Sequence, residues 1–316
     1  MNFLFRYCSR FINHKNNILL AYTNYSSNSF AQGIKGRSLW QDSYSRLMRN
    51  KLAVFSLICL SIISFLIIFA PYIAQYPYDD TDWSAMLKPP SFSDYHFFGT
   101  DLLGRDIFAR TLYGGRISLM VGIVATVVSV IIGVMYGCIA GFIGGKVDSF
   151  MMRIVDILYA LPFMFFVILL TVFFGRHIVL IFIAIGATNW LDLSRIVRGQ
   201  TLSLKNKEYI EAAKANGIKT RKIIIKHIVP NLLGIVVIYV TLTIPTTILA
   251  ESILSFLGLG VQEPDTSWGV LVNEGAQNIE GAWWALVFPA LFLSLTLMCL
   301  NFIGDGLRDA FDPKDR

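Results

Sequence analysis

Charged residues are scarce in this chain. Asp, Glu, Lys and Arg make up 15% of its 316 residues, whereas about a quarter is usual in soluble domains. Five runs contain none of the four: residues 52–78, 117–145, 157–175, 228–250 and 281–304. An uncharged run of about 18 or more residues is long enough to cross the hydrocarbon of a membrane as a helix. The pattern argues against a large soluble helical core and predicts an all-α integral membrane protein.

A shorter apolar stretch, residues 178–191, is the sixth candidate span, so we predict six transmembrane helices. The Lys and Arg residues outside these spans are distributed unevenly, with 22 of the 27 on one side and five on the other. Because positive charges are retained on the cytoplasmic side, we expect both termini to be cytoplasmic. Residues 260–282 carry acids and no Lys or Arg, which fits an outer loop. The net charge of +6 then reports topology rather than nucleic-acid binding.

Sequence motifs of enzymes are also missing. The closest approach to a nucleotide-binding loop, AGFIGGKV (140–147), lacks the first Gly and has Val147 where Ser or Thr would hold magnesium. Neither HExxH nor GxSxG occurs, and the four His and four Cys are scattered without metal-ligand spacing. We therefore expect no catalytic residue, no metal site and no cofactor bound by this chain. An intramembrane enzyme is the least favoured alternative.

The N-terminal region divides in two. Residues 1–37 contain no Asp or Glu, and we predict a cytoplasmic tail, with an organelle transit peptide as the alternative. Residues 38–50 have the pattern of an amphipathic helix on the inner membrane surface, with Trp40 and Leu47 suited to the interface.

Two features inside the spans favour structural roles. Gly133, Gly137 and Gly141 are spaced so that another helix can approach closely, which predicts helix packing rather than ligand binding. Glu251 follows 23 residues without Asp, Glu, Lys or Arg, and we place it near the outer boundary. A structural partner for Glu251 is favoured, with a transport role as the alternative.

The stretch EYIEAAKANGIKTRKIIIKHIVPN (208–231) is polar and basic between two apolar spans. Its first part predicts a short helix on which Tyr209, Ala212 and Ala213 form one flat face. Gly217 can adopt the left-handed conformation that ends a helix. A basic amphipathic helix then follows, which we expect Pro230 to break before the next span. A basic loop lying on anionic lipid is the alternative interpretation.

The spacing of Glu211, Ala212, Ala213, Gly217 and Pro230 resembles the cytoplasmic loop of ATP-binding-cassette importer permeases. The resemblance extends over residues 38–316, and its motifs are similar to those of C-type permease subunits of oligopeptide importers. These motifs are SLWQDSYSRLMRNKLAV (38–54), FGTDLLGRDIFARTLYGGRISL (98–119), ESILSFLGLGVQEPDTSWG (251–269) and NFIGDGLRDAFDPK (301–314).

The resemblance implies a type I importer permease fold in the bacterial inner membrane. It implies a heterodimer with a B-type permease, two cytoplasmic ATPases that bind ATP and magnesium, and an outer peptide-binding protein. The site residues it implies are those of the ATPase-coupling loop: Glu211, Ala212, Ala213, Gly217, His227 and Pro230. His227 and Pro230 are expected to set the junction with the next span.

The implied domains are the tail 1–37, residues 38–97 with the amphipathic helix, first span and outer loop, and a transmembrane domain 98–316 with the coupling loop 192–231. The implied function is that of an oligopeptide importer subunit, surrounded by membrane lipid. Import of dipeptides, nickel or antimicrobial peptides is an alternative within the family. A membrane scaffold that does not transport is an alternative of another class.

Overall fold

The structure, a computed structural model, describes residues 39–175 and 178–311. Within these ranges the only strand-like pairing is an isolated bridge between Thr100 and Asp106. The helices are α1 (Leu39–Arg49), α2 (Lys51–Ile68), α3 (Ala70–Ile73), α4 (Ile107–Ile143), α5 (Gly145–Tyr159), α6 (Phe163–Phe174), α7 (Ile178–Lys205), α8 (Glu208–Ala215), α9 (Thr220–Phe256), α10 (Trp268–Gln277) and α11 (Trp283–Phe311). The unit Ser43–Arg316 holds every helix from α2 onward.

Four of the described helices, α2, α4, α9 and α11, are long and apolar enough to cross a membrane. They coincide with four of the five uncharged runs. The remaining run, 157–175, is interrupted by a turn that contains Pro162, so that α6 has only 12 residues. A helix of this length rises about 18 Å, less than the hydrocarbon thickness. The prediction of six spans with both termini in the cytoplasm stays a prediction.

The start of α2 is fixed by a local cap. The Asn50 side chain accepts hydrogen bonds from the N–H groups of Leu52 and Ala53, at 3.1 and 3.3 Å. Just before it, Leu47 of α1 is buried with Ala53 and Ala310. The expectation that Leu47 lies in the lipid interface is therefore wrong, because the end of α11 covers it. Predictions for residues 1–37 and for the side chain of Trp40 fall outside the described part of the chain.

The most extensive helix pairing joins α4 and α7. Three glycines of α4 lie in this seam, and a Cβ atom added at any of them would meet the backbone of α7. The distance to the nearest carbonyl oxygen would be 3.0 Å for Gly133, 2.5 Å for Gly137 and 2.8 Å for Gly141. The predicted packing role of these glycines is confirmed. The seam fixes α7, which leads directly into the segment 208–231.

The beginning of α4 is held by ion pairs. Arg110, only 1% exposed, donates to Asp101 at 2.6 Å and to Glu274 of α10 at 2.7 Å. Arg105 donates to Asp101 at 2.7 Å and to Glu263 at 2.8 Å. These contacts join the loop before α4 to α10, and they lie at the end of α4 away from the segment 208–231.

Candidate functional site

The short helix α8 links two long helices, α7 and α9. Its first turn carries Glu208 and Glu211, and its last turn carries Lys214. This order complements the helix dipole, which favours acids at the N-terminus and bases at the C-terminus. All three residues are exposed, and the Lys214 Nζ atom lies 5.0 Å from the centre of the Phe142 ring on α4. The charge pattern therefore supports an eight-residue helix that would be marginal in isolation.

One side of α8 is buried and apolar. Ile210 and Ala213 are 0% and 7% exposed, and they belong to a core cluster that includes Val134 of α4, Val197 of α7 and Ile223 of α9. This packing fixes α8 against three helices at once. The position of the segment is therefore coupled to those helices.

The two alanines of α8 do not share a face. Ala212 is exposed beside Tyr209, whose side chain is 44% exposed, whereas Ala213 points into the core. The prediction of one flat face containing Tyr209, Ala212 and Ala213 is wrong in this respect. Successive helical residues are separated by about 100°, and the core takes Ala213 together with Ile210. The exposed surface of α8 instead includes Tyr209, Glu211 and Ala212, together with Glu208, Lys214 and Ala215.

Gly217 ends α8 as predicted. Its φ is +72°, in the left-handed region that favours glycine. Its N–H donates to the carbonyl of Lys214 at 2.9 Å, and the N–H of Ile218 donates to the carbonyl of Ala213 at 3.2 Å. These two bonds form a Schellman motif, which satisfies carbonyls at the helix end. No atom lies within 4 Å of a Cβ placed at Gly217, so its surroundings are open.

The junction between the segment and the next span differs from the expectation. Pro230 does not break the helix, because α9 runs continuously from Thr220 to Phe256. A π turn over Ile224–Ile228 precedes the proline, and the N–H of Val229 donates to the carbonyl of Ile224. The wider turn accommodates a proline that lacks an N–H donor and would crowd a regular helix. His227 lies half-buried in this π turn, and its carbonyl accepts from the Asn231 side chain at 2.6 Å.

Two ion pairs join α5 to α7, the helix that leads into the segment 208–231. The sequence analysis did not predict them. Arg198 of α7 contacts both carboxylate oxygens of Asp148 on α5, at 2.5 and 2.6 Å. Arg195 donates to Asp156 at 2.8 Å and stacks over Tyr159. A signal was present, because Asp148 and Asp156 are the acids between two uncharged runs and α7 offers basic partners. Two-point pairing holds α5 and α7 in a defined orientation.

The exposed side of α8 carries charged and aromatic side chains, and its other side is packed in the core. No group of three His, Cys, Asp or Glu residues that could hold a metal ion occurs in the ranges that the structure describes. The absence of a metal or cofactor on this chain stays a prediction. What the segment presents is a small, exposed, rigidly supported helix with two carboxylates and a tyrosine.

Comparison with known proteins identifies the family. The model described as "Binding-protein-dependent transport system inner membrane component" matches residues 133–316, more than half of the chain. The chain belongs to this family. A second model, "N-terminal TM domain of oligopeptide transport permease C", matches residues 38–90. The permease is therefore an all-helical, multi-pass inner-membrane protein, as the resemblance implied.

Individual relatives agree with this assignment over nearly the whole permease. It is 62% identical over 283 residues to the oligopeptide transport system permease protein OppC of Escherichia coli (strain K12), covering 90% of this chain and 94% of the relative. The OppC protein of Haemophilus influenzae is 59% identical over 283 residues, with 90% and 91% covered. The dipeptide transport system permease protein DppC of Bacillus subtilis (strain 168) is 47% identical over 296 residues, with 93% and 92% covered.

Proposed function

We propose that this permease is the C-type subunit of an ATP-driven oligopeptide importer. It forms half of the translocation path, and a B-type permease forms the other half. Two cytoplasmic ATPases and an outer peptide-binding protein complete the assembly. The names of the relatives from Escherichia coli and Haemophilus influenzae support the oligopeptide substrate.

The observation that carries the proposal is the exposed face of α8, which contains Tyr209, Glu211 and Ala212. Its buried face packs on α4, α7 and α9, so a force applied to α8 reaches three long helices. We infer that this face binds one ATPase. Closure of the ATPase pair then moves α8 and alternates the permease between inward and outward openings. Gly217 sets the direction in which the chain leaves α8.

The residues of the junction have supporting roles in this proposal. Ala213 anchors α8 to the core rather than contacting the ATPase. His227 and Pro230 lie in and just after the π turn at the beginning of α9. They set the angle between α8 and the span. The permease itself is not an enzyme, and ATP and magnesium bind to the partner ATPases.

Substitutions on the exposed face of α8 test the coupling role. The importer, reconstituted in lipid vesicles with its four partner subunits, is assayed for uptake of radiolabelled trialanine. Ala212→Arg places a long cation on the exposed face and should lower uptake about tenfold, within the usual range for loss of coupling. Ala212→Ser, which stays small, is the matched control and should transport normally. Normal uptake by a fully assembled Ala212→Arg importer would contradict the proposal.

Competition experiments distinguish the substrates. Unlabelled tri- and tetrapeptides should block trialanine uptake, whereas nickel ions should not. Stronger competition by dialanine than by any longer peptide would favour the second candidate, dipeptide import, which the Bacillus subtilis relative supports. A scaffold that does not transport would show no ATP-dependent uptake.

A further inference from the structure

Glu251 is completely buried near the C-terminal end of α9. Within the described residues its carboxyl contacts serine hydroxyls, and it has no Lys, Arg or His partner. A buried acid is retained only when hydrogen bonds satisfy its oxygens. Because burial of a carboxyl costs free energy, this side chain is expected to hold neighbouring parts of the structure in place.

The first of two hydrogen-bond relays reaches the Oε1 atom of Glu251. The N–H of Val270 donates to the hydroxyl of Ser267, at 3.3 Å, and this contact caps the N-terminus of α10. The Ser267 hydroxyl donates to that of Ser255 at 3.3 Å, and Ser255 donates to Oε1 at 2.6 Å. Each hydroxyl has a single proton, so every bond in this relay is directed towards the carboxyl.

The second relay reaches the Oε2 atom from the same helix end. The N–H of Trp268 donates to the hydroxyl of Ser118 on α4 at 3.2 Å, and Ser118 donates to Oε2 at 3.2 Å. The indole N–H of Trp268 also donates to the carbonyl of Thr111 on α4, at 2.9 Å. Glu251 is thus an acceptor at both oxygens and joins α9 to α4 and α10.

The backbones of α9 and α10 are also in close contact here. A Cβ added at Gly269 would lie 2.5 Å from the backbone of Ser252. At its other end α9 begins at Thr220, within the segment 208–231. Glu251 lies 31 residues further along, which is about 46 Å at the rise of an α-helix. One continuous helix therefore connects the segment 208–231 with the relays.

We propose that Glu251 is a positioning residue that transmits movement of α9 to α10 through the two serine relays. The inference rests on the proposed function of α8 as the coupling helix. The transmitted movement acts on α10. There Glu274 pairs with Arg110 and lines a cavity of about 300 Å³ beside Arg105 and Glu263. Movement of α10 changes this cavity and its ion pairs when the ATPases close.

The test measures trialanine imported per ATP hydrolysed by the complete reconstituted importer. Glu251→Gln keeps the size of the side chain but turns one acceptor into a donor, which faces a hydroxyl that already donates. The facing hydroxyl can accept from this new donor, but its own proton must then point elsewhere, so the bond between that hydroxyl and residue 251 is reversed. The ratio should fall about tenfold, within the range seen for coupled networks. Ser118→Ala and Ser255→Ala each remove one relay and should lower the ratio by a smaller factor. Assembly yield and ATP hydrolysis without binding protein should be unchanged, which separates lost coupling from lost protein.

Ser252→Ala is the matched control. Its hydroxyl also faces Glu251, at 3.5 Å, but it belongs to neither relay. A normal ratio in this variant together with reduced ratios in Ser118→Ala and Ser255→Ala supports the proposal. If Glu251→Gln fails to assemble, the two serine variants decide alone, and ratios equal to that of Ser252→Ala overturn the inference.

Ala212→Arg, measured in the same assay, distinguishes failure of the inference about Glu251 from failure of the proposed function of α8. If it uncouples the importer and the relay variants do not, the inference about Glu251 fails and the proposed function stands. If neither set of variants changes the ratio, both are overturned.

Discussion

The two ends of α9 are held in contrasting ways. At the coupling end, Ile223, Ile224 and Ile228 are buried in an apolar cluster with α8. At the far end, Glu251 and its serines provide directed hydrogen bonds. Apolar packing has no directional preference, whereas a hydrogen bond weakens steeply when its angle changes. The comparison indicates that apolar volume holds α9 to α8 at the coupling end, whereas directed hydrogen bonds hold α9 to α10 at its far end.

The far end should be the more sensitive to loss of a single polar group. Arg110→Met removes one of the two buried cations that pair with Asp101 and Glu274, while Arg105 stays 2.7 Å from Asp101 and 3.6 Å from Glu274. The loss should lower the free energy of unfolding by about 3 kcal/mol, the lower end of the range for breaking a buried ion pair. Thermal unfolding of the purified permease in detergent measures the loss. Arg116 lies on the exposed side of the same helix, so Arg116→Met is the control and should unfold normally. Equal stability of the two variants would contradict the claim that polar contacts hold the far end.

The coupling end should respond to loss of apolar volume instead. Ile210→Ala empties part of the cluster beneath α8 and should cost about 2 kcal/mol, the lower end of the usual range because a short helix can settle into the gap. Ile225 is 47% exposed, so Ile225→Ala is the matched control. Limited proteolysis between α7 and α9 measures the effect. Equal cleavage rates in the two variants would show that α8 is not held by this cluster.

The smallest effect is expected at the end of α8. The methyl group added by Gly217→Ala meets no atom, but residue 217 must keep a positive φ. Backbone strain alone should therefore lower the free energy of unfolding by about 1 kcal/mol. Gly199→Ala on α7 likewise meets no atom within 4 Å and is the control. Chemical denaturation compares the free energies of unfolding of the two variants. A larger loss at position 199 would contradict the assignment of strain to Gly217.

The sequence predicted some features of this molecule because their causes are local. Uncharged runs located α2, α4, α9 and α11, and a glycine after a short helical pattern located the end of α8. The fate of Pro230 could not be predicted, because the π turn depends on a shift of hydrogen bonds that leaves no clear sequence signal. The burial of Ala213 depends on helices distant in sequence. Ser118 and Glu251 are separated by 133 residues, so their relay is visible only in the structure.

The central claim is that the exposed face of α8 touches an ATPase, and site-specific crosslinking tests it directly. Tyr209→p-benzoylphenylalanine replaces one exposed aromatic side chain with a photoreactive one in the assembled importer. Tyr72 on α3, which is 86% exposed, provides the matched control position. Irradiation should crosslink position 209 to an ATP-binding subunit, and position 72 should give no such product. Crosslinks from position 209 to lipid alone, in an importer that retains both ATPases, would contradict the account.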